Sequence, residues 1–248
     1  MAAIECKIFS ETLGMTTGLR VLLPEPPLEP TGREAHPVLF LLHGLSDDES
    51  AWTRFSGLER YVLTLGLAVV MPNVNRSYYS NMKHGYRYWD YVRHELLVKA
   101  RALFPISTKR ERTFVAGHSM GGYGALKLAL SMPETFAAAA SLSGACDLGH
   151  LRQRPEELAL LFGDAAGIRS SGADLQELGR AAAQSAGPKP KLFQSCGTED
   201  PLLRSNREFR DFIAPLGFDY TYEEGPGAHD WAYWDRGIQR VLRWLPLP

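Results

Sequence analysis

With 248 residues, 45% hydrophobic and 22% charged, the chain has the balance of an ordinary globular protein and length enough for one large core. Its formal net charge of -1 gives no field to collect nucleic acid; no stretch approaches the ~18 apolar residues of a membrane helix, and Met1 to Ser10 lacks the basic start and apolar run of a secretory leader. Cys6, Cys146 and Cys196 are too few and scattered for a disulfide framework or a metal pattern, so reduced thiols, a cytoplasmic location and no metal are expected.

The predicted elements begin with two strands, Ile4 to Ser10 and Leu19 to Leu23, on either side of a turn at Gly14. Pro24 to Pro30 is too rich in proline for helix or central strand and reads as a loop. From Val38 the pattern alternates. Val38 to Leu42 is a buried strand, Trp52 to Leu65 a helix, and Leu67 to Met71 a second buried strand stopped by Pro72. Tyr86 to Phe104 has a helical period, stopped by Pro105; Thr113 to Ala116 is a strand and Met120 to Leu130 a helix of small residues. Strands follow at Phe136 to Leu142, Lys191 to Ser195 and Phe218 to Tyr222, with helices at Arg204 to Leu216 and Trp231 to Leu245. The cluster Lys109-Arg110-Glu111-Arg112 carries its own acid and reads as a solvated turn. Continuous apolar strands alternating with helices predict an α/β fold, a mainly parallel sheet covered on both faces, within one domain, 1–248. The long Ala/Gly/Arg-rich stretch at about 147–187 is expected to form one or two short helices as a cap insertion.

Gly117-His118-Ser119-Met120-Gly121 has the G-x-S-x-G pattern between a strand and a helix. The chemistry needs this arrangement. A serine in a sharp strand-to-helix turn is exposed beside the positive end of the helix dipole, and bulky neighbours would collide there. Its hydroxyl is a weak nucleophile without a base. Two histidines follow it, His150 in the insertion and His229 in Gly225-Pro-Gly-Ala-His-Asp-Trp231, between the last predicted strand and the last helix. The second position suits the base. The orienting acid belongs after the preceding strand, in Cys196-Gly-Thr-Glu-Asp-Pro201, and Asp200 is preferred to its neighbour Glu199 because Pro201 restrains it; Asp230 and Asp235 sit too close to the histidine in sequence or too far along the last helix. The oxyanion would be held by the N–H groups of Met120 and Leu45, the latter after His43-Gly44, where glycine lets the chain pass close to the site. His43 itself is expected to tie loops together. Aromatic residues crowd Asn73 to Tyr91. Tyr78 and Tyr79 are assigned to the substrate pocket with Gly44 and Trp231, whereas Tyr88, Tyr91 and Trp234 are assigned to the core.

Together, His-Gly-Leu45, Gly-His-Ser-Met-Gly-Gly-Tyr-Gly-Ala-Leu126, Cys-Gly-Thr-Glu-Asp200 and Gly-Ala-His-Asp-Trp231 resemble the esterase D-like α/β-hydrolases, nearest to the bacterial tributyrin (acetyl) esterases. The resemblance runs from about Leu19 to the C-terminus and takes in Val69-Val-Met-Pro-Asn73 and Trp-Ala-Tyr-Trp234. It implies an α/β-hydrolase fold, the triad Ser119, Asp200 and His229, oxyanion donors Leu45 and Met120, no cofactor, a small-molecule ester as substrate and, as in similar esterases, a homo-oligomer. The expected reaction is hydrolysis of short acyl esters. Thioesterases of the S-formylglutathione type, acyltransferases and feruloyl esterases share the machinery, and a non-catalytic ligand-binding relative is the rival from another class. The stretch after Ser143-Gly144 departs from the S-formylglutathione hydrolase pattern.

Overall fold

A computed structural model describes residues 1–25 and 35–247. Eight strands form one sheet: β1 (Ala2–Ser10), β2 (Met15–Leu23), β3 (Val38–Leu42), β4 (Ala68–Pro72), β5 (Thr113–His118), β6 (Ala138–Leu142), β7 (Lys191–Gly197) and β8 (Tyr220–Gly225). Their spatial order is β1-β2-β4-β3-β5-β6-β7-β8. β1 and β2 form an antiparallel hairpin that joins β4 in antiparallel fashion; all pairs from β4 to β8 are parallel. The Gly14 turn closes the hairpin at φ +66°. The proline-rich loop falls mostly outside the described residues, which include only its Pro24 and Glu25.

The central strands are buried on both faces, which is why they read as unbroken apolar runs. Their period of two is visible in the packing. Val38, Phe40 and Leu42 enter one core with Val70, Val115 and Leu126, whereas Leu39 and Leu41 enter the other with Val69, Phe114 and Ile238. Helices cover both faces. The Met120–Ser131 helix, buried at all but its last residue, lies against the first core, and the Trp231–Trp244 helix lies against the second.

Several helices depart from the sequence expectation. The single helix over Trp52 to Leu65 is two short ones, Ala51–Phe55 and Leu58–Val62. The break at Ser56-Gly57 is held by Asp235, which accepts hydrogen bonds from the Gly57 N–H at 2.8 Å and the Tyr61 hydroxyl at 2.9 Å. The helix expected from Tyr86 starts at Tyr88, passes through a wider π-helical turn at Tyr91–Glu95 and ends as Leu96–Leu103. The wide turn brings Glu95 over the β1–β2 turn, where it accepts from the Ser10 hydroxyl and from Glu11 and Thr12 N–H. Between β6 and β7 the chain forms a 3-10 turn, Leu148–Gln153, and three helices, Pro155–Phe162, Ala165–Ser170 and Leu175–Gln184. The sequence suggested one or two. Asp164 and Asp174 cap the last two through side-chain hydrogen bonds.

Candidate active site

The carboxyl ends of β3, β5, β7 and β8 carry the loops that meet over the sheet. Ser119 ends β5 and precedes the Met120–Ser131 helix with φ +54° and ψ -118°. A non-glycine residue in that region costs roughly 1–3 kcal/mol and persists only where its surroundings hold it. Here the Ser119 N–H donates to the Leu142 carbonyl at 2.9 Å, and the Ser119 carbonyl accepts from Tyr123 and Ala145, both at 3.1 Å. The flanking glycines allow the crowding. A Cβ on Gly117 would lie 2.5 Å from the Gly121 backbone, and one on Gly121 would lie 2.4 Å from the Leu42 carbonyl oxygen.

The predicted relay is assembled. The Ser119 hydroxyl lies 2.9 Å from His229 Nε2, and His229 Nδ1 lies 2.8 Å from Asp200 Oδ2. Because a carboxylate only accepts, Nδ1 carries the proton and Nε2 is left to accept from the serine. The Asp200 carboxyl is wholly buried, while His229 keeps 26% of its side chain exposed. Burial opposes ionisation of Asp200, but the hydrogen bond and charge of His229 and the N–H of Leu202 outweigh it and hold the carboxyl below its ordinary range. The edge of the His229 ring meets the Trp234 indole at right angles, 5.0 Å between centroids.

The rival residues have other work. Glu199 accepts from the Gly227 N–H at 2.5 Å while its own N–H donates to the Gly227 carbonyl, fastening the acid loop to the histidine loop. His150 bonds to the Tyr78 hydroxyl at 3.0 Å. Asp230 caps the final helix through the Tyr233 N–H, and Asp235 holds the break described above.

Of the proposed oxyanion donors, Met120 opens a helix whose first N–H groups lack intrahelical acceptors, and Leu45 lines the cavity over Ser119 with Gly44. Two histidines fix the Gly44–Asp47 loop. His43 donates from Nδ1 to the Gly44 carbonyl at 2.7 Å and accepts at Nε2 from the Val74 N–H at 3.0 Å, so it does tie loops together. His118, buried beneath Trp52, Trp231 and Trp234, meets Asp47 Oδ2 at 2.8 Å through Nε2. Burial pushes the His118 imidazole down to about 4 despite the Asp47 carboxylate, so it is a neutral donor at neutral pH. Gly44 must be glycine because His118 occupies the space; a Cβ there would lie 2.6 Å from Nε2.

The cavity over Ser119 and His229 measures about 470 Å³ and is walled by Gly44, Leu45, Trp231, Trp234 and, from the insertion, Arg154. Tyr78 and Tyr79 do not line it, contrary to the sequence expectation. Both are buried, at φ +49° and +48°. That backbone turns the rings into the core, where the Tyr79 hydroxyl donates to the His43 carbonyl and Tyr78 meets His150. Sequence reasoning also missed the His118–Asp47 pair, Arg154 and Lys127. The signal for Lys127 was a lone cation in Ala125-Leu-Lys-Leu-Ala-Leu130, where a helix against a parallel sheet has no solvent face to spare.

A hydrogen-bonded serine–histidine–aspartate chain at the carboxyl end of a parallel sheet, open to a cavity, defines a serine hydrolase of the α/β-hydrolase fold, and the comparisons with known proteins agree. The chain belongs to the esterase family described as "Putative esterase", whose model matches residues 10–245. It is 29% identical over 261 aligned positions to an acetyl esterase of Caldicellulosiruptor saccharolyticus, covering 99% of this chain and 98% of that one. Among solved structures it is similar to FphF, a fluorophosphonate-binding serine hydrolase of Staphylococcus aureus in a substrate-bound state, with a TM-score of 0.93 and 37% identity over 99% of this chain and 98% of that one. It is also similar to the S-formylglutathione hydrolase FrmB of the same organism, with a TM-score of 0.89 and 36% identity over 99% and 98%. The protein is a serine carboxylesterase acting on a small-molecule ester. Among the described residues, no helix is long and apolar enough to cross a membrane.

Proposed function

We propose that the enzyme hydrolyses short-chain acyl esters, acetyl to butyryl, through an acyl-enzyme on Ser119. His229 takes the serine proton as the hydroxyl attacks the ester carbonyl. The N–H groups of Leu45 and Met120 hold the oxyanion, and Asp200 keeps the imidazole in the productive tautomer and stabilises it once protonated. His229 then protonates the departing alcohol and activates the water that frees the acid. One observation carries this reading: the continuous Asp200–His229–Ser119 hydrogen-bonded chain, with the serine on a strained turn at a helix N-terminus. The acyl length is supported by the name of the Caldicellulosiruptor relative, which matches nearly the whole chain, and by the indole walls of the cavity. In the same reading residues 147–187 cap the site of a single domain, Gly44 and Trp231 contact the ester, and the enzyme works as a homo-oligomer in the cytoplasm. Its three unpaired cysteines suit that compartment.

A second reading, thioester hydrolysis of the S-formylglutathione type, is favoured by the likeness to FrmB and by Arg154 at the cavity mouth, whose fork suits a carboxylate. A series of p-nitrophenyl esters from acetate to octanoate tests the first. Turnover should peak between acetate and butyrate and fall by about 10⁴-fold or more in Ser119→Ala, which keeps its fold. Normal turnover in folded Ser119→Ala would refute the assignment. Weak turnover of every ester beside rapid cleavage of S-formylglutathione would favour the second.

A further inference from the structure

Lys127 lies two turns beyond Ser119 on the same helix and is only 1% exposed. Among the described residues no carboxylate pairs with it. Its Nζ donates to the Tyr79 carbonyl at 3.0 Å and to the Ser80 hydroxyl at 2.8 Å, and sits 4.4 Å from the centre of the Trp89 ring. A residue selected for packing alone would be leucine or methionine, because a buried cation without a counter-charge is costly.

What the amine holds is a strained turn. Tyr78 and Tyr79 are consecutive non-glycine residues at positive φ, a conformation that costs each of them roughly 1–2 kcal/mol. The turn aims the Tyr79 ring across Gly124 of the serine-bearing helix, so closely that a Cβ there would come within 2.5 Å of the ring. From that position the Tyr79 hydroxyl donates to the His43 carbonyl at 3.0 Å, at the residue before Gly44-Leu45. The path from Lys127 to the Leu45 loop therefore crosses one turn and one hydroxyl.

We propose that Lys127 is a positioning residue: by fastening the Tyr78–Ser80 turn to the serine-bearing helix it sets the place of the His43–Leu45 loop, and so of the oxyanion donor, relative to Ser119. Removing the amine leaves the Tyr79 carbonyl without its buried donor, the turn relaxes, and the loop loses its brace. Burial, with repulsion from Arg93, pushes the ammonium down to about 7. The neutral amine still has two N–H groups for its two acceptors, so the brace survives deprotonation.

The inference rests on the proposed esterase mechanism, and the test separates the two. Wild type, Lys127→Met, Tyr79→Phe and the double variant are compared on p-nitrophenyl acetate and for inhibition by a butyl boronic acid, which becomes tetrahedral on the serine. Absence of wild-type turnover on this ester and on S-formylglutathione alike overturns both the mechanism and the inference; if only the thioester is cleaved, it replaces the ester in the comparison. With the wild type active, Lys127→Met should lower kcat by about 10- to 100-fold with KM within about twofold, as a small misplacement of a catalytic group does. The boronate should weaken in proportion to kcat. Tyr79→Phe should act in the same direction, and the double variant should be no worse than the poorer single one. A folded Lys127→Met with unchanged kcat, a loss confined to KM, or additive losses in the double variant overturn the inference. Should Lys127→Met fail to fold, Tyr79→Phe decides: an unchanged kcat overturns the proposal, and a lowered kcat with constant KM and a weakened boronate supports it.

Discussion

The cavity has two walls built in different ways. The wall that carries Gly44, Leu45, Ser119 and His229 is held from beneath by buried groups: His43, the His118–Asp47 pair, Tyr79 and the backbone bonds around Ser119. The opposite wall comes from the insertion between β6 and β7. Its Leu151, Leu161, Phe162, Ala173 and Leu175 are buried in the main core, and the Tyr123 hydroxyl donates to the Ala173 carbonyl at 2.8 Å, but around these anchors it meets the body through the half-exposed Arg76–Glu157 ion pair, the Tyr78–His150 bond, and the Lys83 and His84 N–H groups, which donate to the Leu161 and Leu160 carbonyls. Buried hydrogen bonds rigidify the groups they join, whereas surface ion pairs contribute little to stability. The wall that must place atoms for chemistry is the rigid one. The insertion reaches the cavity with Arg154, whose side chain is 53% exposed.

That contrast can be broken most severely at Asp47. Asp47→Ala strands the buried His118 Nε2–H, at a cost of about 1–3 kcal/mol, and should lower kcat by about tenfold or more as the Gly44–Leu45 loop loosens; thermal melting and steady-state kinetics check both. An unchanged kcat would mean that the loop needs no brace from beneath. The next effect appears in the pH dependence of stability. Lys127 holds its proton up to about pH 10.5 when unfolded but only to about 7 when folded. The unfolded chain therefore binds more protons in that window, and stability rises with pH through it. Urea melts at pH 7 and 9 should show wild type gaining on the order of 2 kcal/mol relative to Lys127→Met, with the advantage lost below pH 7. A pH-independent difference would place the amine in contact with water. Smallest is the effect of the outer wall. Arg154→Ala should change stability by less than about 0.5 kcal/mol and leave kcat/KM for p-nitrophenyl acetate within about twofold, while raising KM several-fold for a carboxylate-bearing thioester. Equal losses on both substrates would put Arg154 with the rigid wall.

The residues of the rigid wall proposed to do chemistry were legible because each stands in a glycine-marked loop after an apolar strand, in the chain order that this sheet demands. The residues that hold them were not. His118 occupied the variable position of its motif, and its partner Asp47 is 71 residues away. Tyr78 and Tyr79 were misplaced because aromatic density indicates burial but says nothing about a left-handed backbone, which sends the rings inward. In the insertion, alanine and glycine blur the helical period, and helices as short as Ala165–Ser170 depend on an aspartate cap rather than on an apolar stripe. The break at Ser56-Gly57 depends on Asp235, 178 positions further along the chain.

The chain order of the relay has a consequence for biosynthesis. Ser119 precedes His229 by 110 residues, so at ordinary translation speeds the serine exists for on the order of ten seconds before its base has been made. On the proposed mechanism the Ser119 hydroxyl stays an ordinary alcohol until the last strand and helix dock. A nascent or arrested chain would then not cleave the esters around it, and the chemistry would switch on together with completion of the sheet.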